Sequence, residues 1–371
     1  MRRKLLLVGR SRYALPLSSS LEQKFAALER ELEIRVLGTV ASSNGKDSRF
    51  RLYRSLPLLD GPLFYALLPL RVARELRRFR PDAVLAQGAQ ETALSLVGRA
   101  FARSGARVIA DIHGDPGSAT RLYGSRLRML LSPLGDLLAR RGLRGADGIR
   151  TISDYTSSVV RERGVEPSAT FAAFMDLEPF LATPPAPLPE RPVALFVGVL
   201  ERYKGIDVLA EAWRRAAHRV PDATLHLVGR GTLRDVPTRL LAELPEQTRW
   251  TQALPTADVA RELDGASILV LPSRSEGLGR VLIEAFCRGR GAVASDVGGI
   301  RDLVTDGREG VLVPPGNAEV LAEALVRVLS NRTLAEGLGA QARTSVDPWL
   351  ATPEEYAQRV RDLVEQVVSR A

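Results

Sequence analysis

Two series of short apolar runs alternating with amphipathic segments, separated by a proline-rich stretch, constrain this chain more than any other feature. In the first series Lys4–Val8, Glu33–Leu37, Ala83–Ala86, Arg107–Ile112 and Gly148–Ile152 read as buried strands. Ser20–Glu31, Leu67–Phe79, Glu91–Arg103, Leu127–Arg141 and Tyr155–Arg163 carry helical spacing between them. Such alternation predicts an α/β domain, a doubly wound parallel sheet with helices on both faces. Ser42–Pro57 is polar, basic and unpatterned and is expected to be a mobile loop.

From Pro179 to Pro192, six of fourteen residues are proline, which predicts a stiff extended connector with neither helix nor central strand. The second series has strands at Val193–Val197, Thr224–Val228, Ile268–Leu271, Ala292–Ser295 and Gly310–Val313. Its helices are Ile206–Arg219, Leu278–Arg288, Ala318–Leu329 and Thr333–Ser345, with a last one from Pro353 to Val368. The expected organisation is a domain over 1–178, a linker over 179–192, a second domain over 193–347 and a terminal helix over 348–371 that packs back on the first domain. Doubly wound domains bind ligands at the carboxyl ends of their strands, so the expected active site is a cleft between the two.

The 371 residues suit two such domains, and no apolar run approaches the roughly 18 residues of a bilayer span. The basic start MRRK precedes only Leu5–Val8, a first strand rather than a signal peptide. The single cysteine, Cys287, excludes an internal disulfide and agrees with a cytoplasmic location. The net charge of +9 is uneven: residues 1–180 hold 29 Lys and Arg against 18 Asp and Glu. That half is expected to face something anionic, or else to carry the solvated surface of an arginine-rich composition.

Three segments carry chemistry. In Pro272-Ser273-Arg274-Ser275-Glu276-Gly277-Leu278-Gly279-Arg280-Val281-Leu282-Ile283-Glu284 a strand ends in a glycine-bearing turn that opens a helix. Bare backbone at Gly277, Leu278 and Gly279 and the helix start favour phosphate. Glu276 and Glu284 stand too far apart to share a proton and suit two hydroxylated parts of one extended ligand. In Phe196-Val197-Gly198-Val199-Leu200-Glu201-Arg202-Tyr203-Lys204-Gly205 a strand, a glycine and a basic loop lead into a helix, again aiming cations at an anion. Ser295-Asp296-Val297-Gly298-Gly299 makes a third, backbone-lined crevice.

Together these blocks resemble the retaining glycosyltransferases of family 4 over essentially the full length, with Asp306–Gly316 as the tail of the match. The resemblance implies the GT-B fold, two Rossmann-like doubly wound domains facing across a cleft. It implies transfer of a hexosyl unit from a UDP- or GDP-linked sugar, without a further cofactor or a metal, to a glycan, lipid-linked or small-molecule acceptor. Glu276 would lie against the donor sugar, Glu284 on the nucleotide ribose, and Arg202 and Lys204 on the diphosphate, with Gly198, Gly298 and Gly299 in the crevices. The family's arginine after the strand glycine is here Val199, and Arg202 is expected to replace it. His113, in Asp111-Ile112-His113-Gly114, resembles the family's active-site histidine. Gly9-Arg10 closes the first strand and resembles its first-loop glycine element.

Other readings lose ground. Gly229-Arg230-Gly231 lacks the third glycine of a dinucleotide fingerprint, and neither zinc spacing nor a G-x-S-x-G elbow occurs. Cys287, His218 and His226 read as structural, and Ser153 as a helix cap. The alternatives kept are a nucleotide-sugar epimerase or other enzyme on the same fold, and a non-catalytic protein binding lipid or nucleic acid, although nucleic acid is not the expected partner. Gly61–Arg80 and Arg121–Arg144 set arginines beside apolar residues, including Met129-Leu130-Leu131. They suit either an anionic membrane surface, and so a peripheral location, or burial against the sheet.

Overall fold

The computed structural model describes residues 2–43, 45–54, 60–117 and 132–370. The described residues form two compact units, one holding those up to Phe174 and from Ala351 on, the other Met175–Leu350.

The first unit is built on a parallel sheet of order β3-β2-β1-β4-β5-β6-β7. Its strands are β1 (Lys4–Leu15), β2 (Glu33–Ser43), β3 (Phe50–Tyr53), β4 (Ala83–Gln87), β5 (Arg107–Ile112), β6 (Gly148–Thr151) and β7 (Ala169–Thr170). Helices α1 (Ser19–Glu31), α2 (Asp60–Phe79), α3 (Ala89–Ala102), α4 (Ser132–Gly145) and α5 (Asp154–Arg161) connect them. One apolar cluster joins Leu5, Phe25, Leu28 and Ile109 to Val360, Val364 and Val367 of the terminal helix. Strand order reverses between β1 and β4, the switch point where such sheets open a crevice.

Two expectations fail here. Gly9-Arg10 does not close β1: a register shift against β2 between Val8 and Arg12 absorbs the pair, and pairing resumes to Leu15. The expected loop 42–57 contains β3, whose Phe50–Tyr53 pair with Val36–Thr39 at the sheet edge. Its strand is too short for a periodic signal. The start of the expected helix 127–141, with Met129–Leu131, lies outside the described residues.

The second unit has a parallel sheet of order β10-β9-β8-β11-β12-β13. Its strands are β8 (Val193–Val197), β9 (Thr224–Val228), β10 (Thr248–Thr251), β11 (Ile268–Leu271), β12 (Ala292–Ser295) and β13 (Gly310–Val313). The switch point falls between β8 and β11, and it brings their loops together. Helix α6 (Glu178–Leu181) precedes the sheet. Around it lie α7 (Ile206–Ala216), α8 (Asp235–Glu243), α9 (Thr256–Asp264), α10 (Arg280–Cys287), α11 (Ala318–Leu329) and α12 (Arg332–Thr344). The terminal helix α13 (Pro353–Ser369) belongs to the first unit. Helix α10 starts two residues later than expected because Gly279, in the left-handed region, is its N-cap.

The proline-rich segment is not a bare connector. It opens with α6, and six of its remaining carbonyls accept from arginines of the same unit. Arg288 donates to Thr183 O (2.7 Å) and Pro184 O (3.0 Å), Arg290 to Ala186 O (2.8 Å) and Pro187 O (3.2 Å), and Arg332 to Leu188 O and Pro189 O, both at 2.9 Å. Prolines lack N–H groups but keep their acceptors, and a guanidinium fork serves several acceptors at once. Arg288 is itself bound to Asp264 at 2.9 and 2.6 Å, which balances its buried charge.

Candidate functional site

In the second unit the loops after β8 and β11 are pressed together. Gly205 has φ +69°, and a β-carbon there would stand 2.0 Å from Pro272 O, so only glycine fits. The contact carries Lys204 to Glu276: Nζ lies 2.5 Å from Oε2, and both side chains are 14% exposed. Ser273 Oγ donates to the same oxygen at 3.3 Å. The Gly298-Gly299 turn closes from the other side. Gly299 N–H donates to Glu276 O at 3.0 Å, and a β-carbon on Gly299 would meet Gly277 O at 2.1 Å. Leu278 is buried beneath, so Gly277 to Gly279 present backbone.

Arg274 is the residue that sequence reasoning missed. Its guanidinium grips Asp207 at 2.7 and 2.9 Å and Arg202 O at 2.7 Å, while its N–H donates to Tyr203 O at 2.7 Å. Burial alone would raise the Asp207 carboxyl, but the Arg274 bonds and charge outweigh it and hold the group low. Its signal, an arginine between two serines before Glu276, is one among 52 basic residues.

The four residues expected at the diphosphate and sugar are in different states. Lys204 and Glu276 hold each other. Arg202 is exposed, and among the described residues its guanidinium has no partner. Glu284, on the inner face of α10, has Arg280 4.0 Å away and no hydrogen bond among the described residues. Burial pushes its carboxyl up to about 7. Among the described residues no side chain caps the first turn of α10. Gly198 ends β8 beside Val199, which is 44% exposed.

In the first unit β5 delivers Asp111 and His113. His113 Nε2 is 2.9 Å from Asp111 Oδ2, and Arg150 donates to Asp111 Oδ1 at 2.6 Å. Arg150 is fully buried, donates to Phe171 O and Ala172 O, and stacks 4.2 Å above the Phe171 ring. Burial would raise Asp111, yet Arg150 and His113 hold it well below the usual carboxylate range. Gly9 faces Gln87, and a cavity of about 260 Å³ includes Gly9, Gln87, Asp111 and His113 in its lining. Arg10 turns elsewhere, to the Tyr65–Glu91 pair, in which the phenol donates at 2.8 Å to a carboxyl raised by burial. Neighbouring strand residues point to opposite faces, so Gly9 lines this cavity and Arg10 does not.

His226 is bound to Glu262 and Thr251, each at 3.0 Å, and Ser153 caps α5, as expected of structural residues. Burial raises the Cys287 thiol to about 11, as fits a packed cysteine. Among the described residues no group of three His, Cys, Asp or Glu side chains could hold a metal ion. No helix among them is long and apolar enough to cross a membrane.

Comparison with known proteins fits both halves. The family described as "Glycosyl transferases group 1" matches residues 184–345, and "Glycosyl transferase 4-like domain" matches residues 19–171. This chain belongs to the GT-B glycosyltransferases. It is 28% identical, over 69% of its length and 70% of the relative's, to the GDP-mannose-dependent alpha-(1-6)-phosphatidylinositol monomannoside mannosyltransferase of Mycolicibacterium smegmatis. Two other curated relatives are matched over 41% and 39% of their own lengths. Among solved structures, sucrose-phosphate synthase from Thermosynechococcus elongatus superposes with a TM-score of 0.80 at 20% identity, covering 100% of both chains. Anabaena HepE in complex with UDP and glucose gives 0.70 at 17%, covering 98% and 99%. At these identities the two structures establish the fold.

Proposed function

We propose that the chain is a retaining family 4 enzyme that moves a hexosyl unit from a UDP- or GDP-linked sugar to an acceptor hydroxyl, without a metal or further cofactor. The observation that carries this is the state of the glutamate pair. Glu276 is fixed by Lys204 within a glycine-lined crevice, and Glu284 is a half-buried carboxyl with unused acceptor capacity in the helix that follows. A ribose diol supplies the hydrogen bonds that Glu284 lacks, and sugar hydroxyls supply those of Glu276.

In the reaction the bond between the anomeric carbon and the donor phosphate oxygen breaks, its electrons leaving on the diphosphate. The acceptor oxygen bonds to the same face, and its proton passes to a leaving phosphate oxygen. Arg202, Lys204 and the uncapped start of α10 meet the charge that develops on the diphosphate. Aligning the acceptor supplies the rest. His113, with its ring fixed by Asp111, contacts the donor sugar.

A thermal-shift panel of UDP-, GDP- and ADP-sugars tests the reading, since a ligand that binds only the folded state raises its melting temperature. A shift from one nucleotide sugar, followed by a product with the donor's anomeric configuration by NMR, is expected. No shift from any member overturns it.

The acceptor is a glycan, a lipid-linked molecule or a small molecule, and the enzyme is cytoplasmic and peripheral to an anionic membrane. Support for the membrane comes from α2 and α3. Leu70 (59% exposed) and Phe101 (53%) stand outward among Arg74, Arg77 and Arg78 around one shallow groove. Co-sedimentation with anionic vesicles that fades with salt is expected, and equal recovery with neutral vesicles would remove the membrane from this reading.

A further inference from the structure

The first unit holds a cation with no counter-charge in the cavity beside His113. The cavity begins at the carboxyl ends of β1, β4 and β5 and runs between the sheet and helices α1 and α13. Lys24, on α1, lines it. Its ammonium sits 5.5 Å from the Phe25 ring centroid and 5.4 Å from that of Tyr356, and no carboxylate pairs with it among the described residues. Two ring faces thus hold the charge in place without neutralising it. Among the described residues Asp111 is the one acidic residue in the lining, and it is committed to Arg150 and His113. Burial raises the Tyr13 phenol, which stays a neutral donor, and Ser11 and Gln87 are bonded to each other at 2.9 Å with capacity to spare. At about 260 Å³ the space is below that of a drug-sized pocket and suits a single substituted ring.

We propose that this cavity is the binding site of a phosphorylated polyol or sugar, with the phosphate against Lys24 and ring hydroxyls at the polar end with Gln87 and His113. A lysine ammonium is a compact point charge suited to phosphate, and the aromatic walls of Phe25, Tyr13 and Tyr356 suit the flat faces of a ring. The inference rests on the transferase reading only in naming this guest as the acceptor. It narrows the acceptor from any hydroxyl compound to one carrying phosphate.

The test titrates glucose 6-phosphate and glucose into the full-length wild type, Lys24→Met and Lys24→Arg, with UDP or GDP saturating so that the second unit's phosphate elements are filled. Lys24 is partly exposed and makes no ion pair among the described residues, so both variants are expected to fold as the wild type does. The ester should bind at least about tenfold more tightly than glucose, the size of one charge-assisted contact. Lys24→Met should abolish that preference and Lys24→Arg keep most of it. A second arm replaces the soluble ester with phosphatidylinositol vesicles against phosphatidylcholine vesicles. Lys24-dependent binding in that arm alone keeps the site and assigns the phosphate to a lipid headgroup. Equal affinity for ester and glucose with no Lys24-dependent vesicle binding overturns the proposal, as does a preference that survives Lys24→Met. If no nucleotide or nucleotide sugar binds the wild type while the ester does, the transferase reading falls and the anion site stands.

Discussion

The second unit places its chemistry where strand order reverses and the first one strand away, after β5, and they secure it by opposite means. In the second unit the loops after β8 and β11 are fixed by short-range devices: a glycine with no room for a β-carbon, an ion pair and an arginine clasp from Arg274. In the first, His113 is fixed by a chain that runs inward, through Asp111 to a fully buried Arg150 that lies on β6 and ties it to the carbonyls after β7. A site stitched from loops can exchange partners when a ligand arrives. A site anchored on a buried charge cannot move without exposing that charge. The contrast therefore predicts that mutations in the Asp111–Arg150 anchor cost stability, whereas those in the paired loops of the second unit cost turnover.

The largest effect is expected at Arg150. Replacing it with Met keeps the volume but leaves Asp111 buried without its main counter-charge, a loss of about 3–5 kcal/mol. Denaturant unfolding should show it. The sign of the pH dependence follows from Asp111. Its carboxyl is lower in the folded state than unfolded, so its contribution is present above the unfolded pKa and is lost as pH falls through the folded one. Arg150→Met should remove that acid-side dependence. A variant as stable as the wild type would end the contrast.

Next come Lys204→Ala and Glu276→Ala, each expected to slow turnover by roughly a hundredfold to a thousandfold, as when one preorganised charge partner is lost. Because the two side chains share a hydrogen bond, the double variant should lose far less than the product of the single losses. Steady-state rates for all four proteins measure the coupling. Wild-type turnover in Glu276→Ala would remove that residue from the site.

Glu284 gives a smaller effect with a definite pH window. Its carboxyl rises from 4.5 to about 7 on folding, so the folded state binds the proton more tightly. Stability from this group is full below pH 4.5, declines as pH rises towards 7 and is flat above. By linkage the decline is at most about 3 kcal/mol. Glu284→Gln should flatten the profile and be the more stable protein at pH 8, while binding nucleotide sugar more weakly. Unchanged curves would mean that the carboxyl is solvated.

How much of this was legible in sequence follows from the same contrast. The glutamate pair, the basic loop and the paired glycines of the second unit lie within short stretches, so their order alone identified the crevice. His113 stands in a comparably short stretch and so could be singled out for the same reason. Arg150, 39 residues beyond its partner Asp111, could not, since nothing local separates a buried arginine from a solvated one. Strand β3 and the register shift at Gly9 were hidden because pairing with β2, rather than any pattern of their own, creates them. The proline-rich segment was read from what proline forbids. The arginines that claim its carbonyls come from the C-cap of α10, the turn before β12 and the start of α12.

The smallest predicted effect concerns the arginine that the loop after β8 lacks. Val199 stands at that position and is 44% exposed, and Arg202, three residues on, has an exposed guanidinium with no partner among the described residues. If Arg202 serves the diphosphate in its place, Arg202→Ala should lower kcat/KM by about tenfold, the low end for an exposed charge partner. Val199→Arg alone should alter stability by less than about 0.5 kcal/mol, as at most surface positions. In the Arg202→Ala background it should restore most of the lost rate, because the guanidinium returns to the same loop. The four proteins form a cycle whose coupling isolates this compensation from general damage. Full activity of Arg202→Ala in the presence of EDTA would show that no guanidinium is needed from this loop and would leave Lys204 and the start of α10 to meet the diphosphate charge.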